Sequence, residues 1–389
     1  MALVPLQYTW GSLWHRRSAT LLAVMSIAAT VAVLAGMLCL QQGFLGVQMQ
    51  GGRTDLAIFL RPGAKSEGES SFDLERALVV LKETPELATA ANGTPLASAE
   101  LFLALSLTKF DGGKTNVPLR GVQPASFLVH GDDVRIVKGR NFAPGTDEII
   151  VGSAMSDRLQ NGHVDDVLVI NLTPFRVVGI FEGRGSYRSE IWGDVDRMRA
   201  ALNSQHYSRI IGTLKPGTLA SQVHERVKDD ARSPAKVVDE ATYLADQTGM
   251  LSGMLEVMGV ALALLMGIGA IFTGTNAMLS LVAARTHEIG ILLATGFRPW
   301  AIFVSFLFEA ALLGLCGGFV GCLLVLPLNG METGTTNFET FTEIAFAFRM
   351  TPTVVLTAVT VAIGLGLVGG AFPAWRAARM TPTQALRRG

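Results

Sequence analysis

Residues 18–52 form an uncharged, apolar stretch that stands alone near the start of the chain, between Arg17 and Arg53. Polar, charge-bearing sequence then runs to about Glu256. Three further uncharged runs follow, at 257–284, 310–331 (extending backward past Glu309 to Pro299) and 350–375. A helix needs roughly 20 apolar residues to cross a bilayer core, and each run reaches that length. The pattern predicts a helical membrane protein with four transmembrane helices, in which a large water-exposed domain is inserted between the first helix and the second.

Within the polar stretch the periodicity alternates between strand and helix. Residues 55–60, 101–107, 117–122, 148–151, 167–172, 175–181, 189–192 and 208–214 read as strands. Residues 72–83, 154–159, 194–202 and 219–230 read as helices, and Thr173-Pro174 reads as a hairpin turn. This is an α+β pattern, with two subdomains expected to meet near 115–125 and 185–190. The expected division is a cytosolic amphipathic segment (1–17), the first span and a stalk (18–50), and the external domain (51–245). A second stalk and span (246–284), a cytosolic coupling loop (285–299), the third span (300–328), a short periplasmic loop (329–350), the fourth span (351–373) and a cytosolic tail (374–389) complete it. Leu244, Leu251 and Met258 recur every seven residues, a heptad stripe along which two stalk helices could pair.

Charge fixes the orientation. Segments 1–17, 285–299 and 374–389 hold Arg16, Arg17, Arg285, Arg298, Arg376, Arg379, Arg387 and Arg388 against the single acid Glu288. The loop between the last two spans carries Glu332, Glu339 and Glu343 against Arg349. Basic residues stay on the cytosolic side during insertion, so both termini are expected inside and the inserted domain outside. Trp10, Trp14, Trp300 and Trp375 all fall at the cytosolic edge of a span, where an indole can rest at headgroup depth. The first apolar run is longer than a signal-peptide core and lacks a clear cleavage site, so it reads as an uncleaved anchor. Glycine is abundant at 42 residues and charge scarce at 16 %, as expected for a polytopic membrane protein. Cys39, Cys316 and Cys322 all lie in or near spans, which leaves the external domain without a disulfide framework.

Several chemistries are absent. No G-x-x-x-x-G-K-[ST] phosphate loop occurs, His287-Glu288 lacks the second histidine of the H-E-x-x-H zinc pattern, and there is no G-x-S-x-G elbow. The six histidines are scattered, so neither a metal nor a cofactor is expected in this chain, and nothing suggests a nucleic-acid partner. The pairs Asp132-Asp133, Asp165-Asp166 and Asp229-Asp230 read as solvated turns. On this reading the chain is a non-catalytic membrane subunit.

Between the second and third spans, Gly296 is placed to stop a helix and Pro299 to begin the next. That corner is either a tight re-entry turn or a place where a cytosolic partner pushes. The stretch ARTHEIGILLATGFRPWAIFVSFLFEA resembles the E-I-G-[IL]-x-x-A-x-G signature of ABC-transporter permeases of the MacB/FtsX/LolC group. The tail PAWRAARMTPTQALR resembles the group's P-A-x-x-A-[AS]-x-x-x-P-x-x-A-L-R ending. VKGRNFAPGTDEIIVGSAMSDRL and LVINLTPFRVVGIFE resemble its periplasmic domain.

The resemblance implies a mechanotransmission permease of the bacterial inner membrane, which pairs with a second permease copy or paralogue and docks a cytosolic ABC ATPase. ATP and magnesium would be bound by that ATPase. A DevC-like arrangement, with the ATPase on a separate chain, is expected because few residues precede the first span. By the same resemblance Glu288, Ile289, Gly290, Gly296 and Arg298 lie at the ATPase-coupling corner. Glu309 is an intramembrane carboxylate that should face a partner or cavity, or be satisfied within the subunit. Gly314/Gly318, Gly317/Gly321 and Gly366/Gly370 are small-x-x-x-small pairs that predict close helix packing, within the subunit or across a dimer. Export or extraction of a substrate, with a periplasmic adaptor and membrane lipids as further partners, is the leading expectation. An FtsX-like regulator of a cell-wall hydrolase and a lipoprotein-releasing permease are the alternatives.

Overall fold

The computed structural model describes residues 17–49, 52–91, 93–336 and 342–381. The amphipathic segment, Trp10, Trp14, Arg16, Glu339, Arg387 and Arg388 lie outside the described residues.

Among the described residues, four helices are long and apolar enough to cross a membrane, over Thr20–Gly46, Gly253–Ala284, Pro299–Leu328 and Pro352–Ala378. They belong to α1 (Arg17–Met49), α7 (Glu240–Ala284), α9 (Pro299–Val325) and α10 (Pro352–Ala378). The chain divides into two units: residues 1–43, 253–331 and 347–389 form the helical one, residues 44–252 and 332–346 the other.

In the helical unit, small residues set the spacing. A Cβ at Gly314 would stand 2.5 Å from the Ala362 carbonyl oxygen, and one at Gly366 would stand 2.4 Å from that of Ala310. Gly318 abuts Ala362 and Gly370 abuts Ala310, so both pairs bring α9 and α10 into backbone contact. Gly317 and Gly321 face α1 instead, against Ile27, Ala28 and Val31. The small-residue pairs therefore serve packing within this chain. Met37 of α1 lies against Gly259 of α7, Thr30 Oγ1 donates to the Met266 carbonyl, and Gln41 Nε2 donates to Glu256 at 3.3 Å. That antiparallel seam departs from the predicted heptad stripe at Met258, which is exposed while Gly259 makes the contact; the side chain of Leu251 lies outside what the structure describes.

The other unit is built on a ten-stranded mixed sheet. In chain order its strands are β1 (Leu56–Leu60), β2 (Ala97–Thr108), β3 (Lys114–Val122), β4 (Val134–Gly139), β5 (Glu148–Gly152), β6 (Val167–Ile170), β7 (Thr173–Gly183), β8 (Ile191–Asp194), β9 (Arg209–Thr213) and β10 (Lys236–Asp239). The order across the sheet is β10-β1-β9-β2-β3-β8-β5-β7-β4, with β6 paired to β7. The long β2 joins two halves: residues 97–100 pair with β9, and residues 101–108 pair with β3. Helices α2 (Leu74–Glu83), α3 (Pro124–His130), α4 (Ser153–Ser156), α5 (Val195–Leu202) and α6 (Ala220–Val227) connect the strands, and Asp194 caps α5 by accepting from Asp196 N and Arg197 N. The two-strand hairpin β11 (Glu332–Thr336) and β12 (Glu343–Ala347) lies between the third and fourth spans in sequence.

The β6–β7 turn is formed by Asn171-Leu172, with φ 44° and 69°, not by Thr173-Pro174. A two-residue hairpin turn needs positive φ at both positions, which proline cannot adopt. Pro174 instead opens β7 opposite Val169, in the stretch where β7 pairs with β6 but not yet with β5, so its missing N–H leaves no ladder bond unmade. Asp133 is not a solvated turn residue either: it is largely buried and pairs with Arg53 at 3.4 Å and Arg184 at 3.1 Å.

Candidate functional site: a helix corner and a buried charge cluster

The corner between the second and third spans is held by backbone geometry. Helix α8 (Thr286–Ala294) ends where Gly296 takes φ +94°. Gly296 N donates to Leu293 O and Phe297 N to Leu292 O, the paired bonds of a glycine-terminated helix end. Pro299 then opens α9 at its first turn, where the missing N–H costs nothing.

The faces of this corner are unlike. Ile289 and Gly290 are buried, and Ile289 packs with Leu281, Ile302, Phe306 and Ala374. Glu288, Ile291 and Arg298 are exposed. The predicted coupling residues therefore split into an anchored pair and an outward set. Glu309 is buried at 1 % exposure, and its Oε2 accepts from Arg285 Nη1 at 3.4 Å, while Arg285 Nε stands 3.6 Å from Glu288. The intramembrane carboxylate is thus satisfied within the subunit by a cation at the corner. A void of about 20 Å³ lies between Arg285, Glu288, Leu292, Ser305 and Phe306, room for about one water. Beside it, Trp300 stacks on Phe303 at 5.2 Å, and the Arg379 guanidinium sits 4.4 Å from the Trp375 ring, an arrangement suited to headgroup depth.

The second unit holds a buried ionic cluster that the sequence reading did not find. Arg120 of β3 grips Glu190 with Nε at 2.7 Å and Nη2 at 2.8 Å, and its Nη1 reaches Glu67 at 2.6 Å and Glu100 at 3.2 Å. Arg209 of β9 binds Glu100 at 2.8 Å and Glu67 at 2.9 Å. Trp192 Nε1 donates to Glu190 at 2.7 Å, and the Tyr187 hydroxyl donates to Glu240 at 2.6 Å. Glu240 also accepts from Arg53 N, and Tyr243 Oη accepts from Glu67 N. All four glutamates and both arginines are buried.

The cluster joins β2 and β9 of one half of the sheet, β3 and the 185–190 turn of the other, and the start of α7. Burial acts to push the Glu100 carboxyl up, but Arg209 and Arg120 outweigh it and hold the group well below the usual carboxylate range. His130 Nε2 stands 3.7 Å from Glu100 Oε1, too far for a hydrogen bond, so it acts through its field rather than a bond. Burial pushes the Tyr187 and Tyr243 hydroxyls up, which keeps both protonated. An apolar-walled cavity of about 60 Å³ adjoins the cluster, lined by Phe44, Phe102, Arg120, Tyr187, Tyr243 and Ile344. Among the described residues no group of His, Cys, Asp and Glu could hold a metal ion.

In the sequence Glu100, Arg120 and Arg209 sit singly within strands, where a lone charge reads as solvent-facing, while Glu67 and Glu190 lie in turns and Glu240 at a helix start. The signal that could have found the two arginines is the run of buried-type residues beside them, Leu119-Arg120-Gly121-Val122 and Arg209-Ile210-Ile211.

Residues 20–230 match the family described as MacB-like periplasmic core domain, and residues 260–382 match that described as FtsX-like permease C-terminal. The curated relatives include the pyoverdine export ATP-binding/permease protein PvdT of Pseudomonas syringae pv. tomato, 25 % identical over 98 % of this chain and 59 % of its own length. The protein of the same name from Pseudomonas fluorescens (strain Pf0-1) is 28 % identical over 98 % of this chain and 58 % of its own. The chain thus spans less than two thirds of the length of these relatives. Among solved structures, the periplasmic region of MacB from Actinobacillus actinomycetemcomitans aligns at 11 % identity and TM-score 0.37, covering 49 % of this chain and 92 % of that one. The extracellular domain of the ABC-type transporter YknZ from Gram-positive bacteria aligns at 14 % identity and TM-score 0.35, covering 47 % and 98 %.

Proposed function

We propose, from the premise that the chain belongs to the family of permeases with a MacB-like periplasmic core domain and an FtsX-like C-terminal domain, that it is the membrane part of an ATP-driven exporter of the bacterial inner membrane. The relatives' names, export ATP-binding/permease protein, favour export over hydrolase regulation or lipoprotein release. Residues 1–389 contain no phosphate loop, so ATP is hydrolysed by a nucleotide-binding domain outside them. Both termini face the cytosol and the inserted domain faces the periplasm, the orientation that the arginine bias favours.

The observation that carries this reading is the corner at 285–299: a rigid helix end, anchored by Ile289 and presenting Glu288, Ile291 and Arg298 outward. A partner ATPase seated on that outward face moves α8, and with it the ends of α7 and α9. Helix α7 is one continuous helix of 45 residues from Glu240 in the charge cluster to Ala284 at the corner, the covalent route by which movement reaches the inserted domain. The exporter works as a pair of such permeases, with an adaptor as a further periplasmic partner.

The test is co-purification of the ATPase with the full chain from detergent-extracted membranes. Glu288→Lys, at an exposed position, is expected to lower the ATPase yield about tenfold while insertion and thermal stability stay unchanged. Unchanged yield would remove the corner from the coupling route.

A further inference from the structure

Beyond the coupling corner and the charge cluster, the second unit contains a polar recess of about 480 Å³ between the β2–β3 hairpin and the β11–β12 hairpin. That volume is in the range of small-molecule sites. Its lining is hydrophilic: Ser106, Lys109, Lys114, Thr115, Asn116 and Thr335, with Glu343 at one end.

The charges around it do not balance. Glu343 receives Lys109 Nζ at 3.0 Å, Arg158 Nη1 at 2.9 Å and the Thr115 hydroxyl. Lys114, on the same wall, makes no ion pair among the described residues. Among the described residues two cations thus contact this carboxylate and a third lines the same recess, whereas Arg140–Glu148, Arg226–Glu86 and Arg232–Glu83 on the same unit are one-to-one pairs. Among the described residues the nearby acids do not compensate: Asp111 accepts from Gly113 N, Asp157 is 84 % exposed beside His163, and Glu332 pairs with Arg188. Burial acts to raise the Glu343 carboxyl, but Thr115, Lys109 and Arg158 outweigh it and keep it ionised.

Glu343 can seat there because β11 is bare at Gly334. A Cβ at that position would stand 2.3 Å from Glu343 Oε1 and 3.0 Å from Arg158 Nη1. The cradle is thus already shaped around a carboxylate, with a cation that is unpaired among the described residues and open polar volume next to it.

We propose that this recess binds a small polycarboxylate, one of whose carboxylates displaces Glu343 from Lys109 and Arg158 while a second is held by Lys114. Glu343 is the resident competitor that occupies the cradle when no ligand is bound. The site does not depend on the ATPase-coupling reading, and failure of ATPase co-purification would leave it standing.

The test is calorimetric titration of citrate into the full chain in nanodiscs of neutral lipid, with sodium chloride matching ionic strength. Wild type is expected to bind, and Glu343→Gln to bind about tenfold tighter, because a charge-assisted competitor has been removed. Lys114→Gln, at an exposed position that leaves the fold intact, is expected to bind about tenfold more weakly. Glu343→Ala, which empties the seat altogether, is expected to tighten binding as Glu343→Gln does, and stands in for that variant if it fails to fold. Absence of citrate binding in wild type and in both tightened variants, or equal affinity in wild type and Lys114→Gln, would overturn the proposal.

Discussion

Replacing Arg120 with methionine removes the guanidinium that serves three buried carboxylates at once. Its bonds to Glu190 at 2.7 and 2.8 Å have no substitute beyond the Trp192 indole, whereas Arg209 remains to hold Glu67 and Glu100. The damage therefore falls chiefly on Glu190, left buried without its cation. Removing one partner of a buried ion pair costs about 3–5 kcal/mol. For a domain of this size, each kcal/mol shifts the melting temperature by roughly 2–4 °C, which gives a fall of roughly 6–20 °C for Arg120→Met. The assay is differential scanning calorimetry of the full chain in nanodiscs, following the transition of the inserted domain. Arg140→Ala, which breaks an exposed bidentate pair with Glu148, is the control and should melt with wild type. The double variant Arg120→Met/Glu190→Met should recover part of the loss, because the stranded charge has gone with its partner. If Arg120→Met alone melted within about 2 °C of wild type, the claim that this cluster holds the two halves of the sheet together would be refuted.

Other outcomes follow from the same geometry. Gly366→Val drives a side chain into the Ala310 carbonyl and should destabilise the helical unit by about 1–3 kcal/mol, while Gly364→Val, which meets open space, should be tolerated; detergent-resistance melts separate the two. Gly296→Val forces a β-branched residue to φ +94°, at a cost of about 1–3 kcal/mol, and should loosen the corner, read as faster protease cleavage at 295–298. The carboxyl of Glu100 lies below its ordinary value of 4.5 in the folded chain, so its contribution to stability is present above that value and is lost as pH falls below it. Melting of the inserted domain should therefore hold steady down to about pH 5 and decline progressively below about 4.5, and a flat profile to pH 3 would contradict the assignment.

Four spans and an inserted α+β domain were legible because uncharged length and alternating periodicity are direct physical requirements of a bilayer and a sheet. Glycine at 296 and proline at 299 likewise announced the corner, since each is suited to one backbone role. The charge cluster was not legible. Glu67, Glu100, Arg120, Glu190, Arg209 and Glu240 are scattered through the sequence and converge only through strand order, which periodicity does not encode. The edge strand β4 was missed because its apolar residues are partly exposed, and β10 because four residues give too short a pattern. At Met258 the heptad stripe did not mark the contact: spacing marks one helix face, but Gly259 meets α1, and close approach of two helices favours the smaller residue.

Coupling at the corner requires a cytosolic ATPase to engage the outward face of α8. A photo-crosslinking residue placed at Ile291, which is 47 % exposed, tests this in intact cells, with the captured protein identified by mass spectrometry. Capture of a nucleotide-binding domain carrying a phosphate loop, lost in Glu288→Lys, is the predicted result. Efficient capture of periplasmic proteins at that position, or no ATPase capture while the chain is fully inserted, would contradict it.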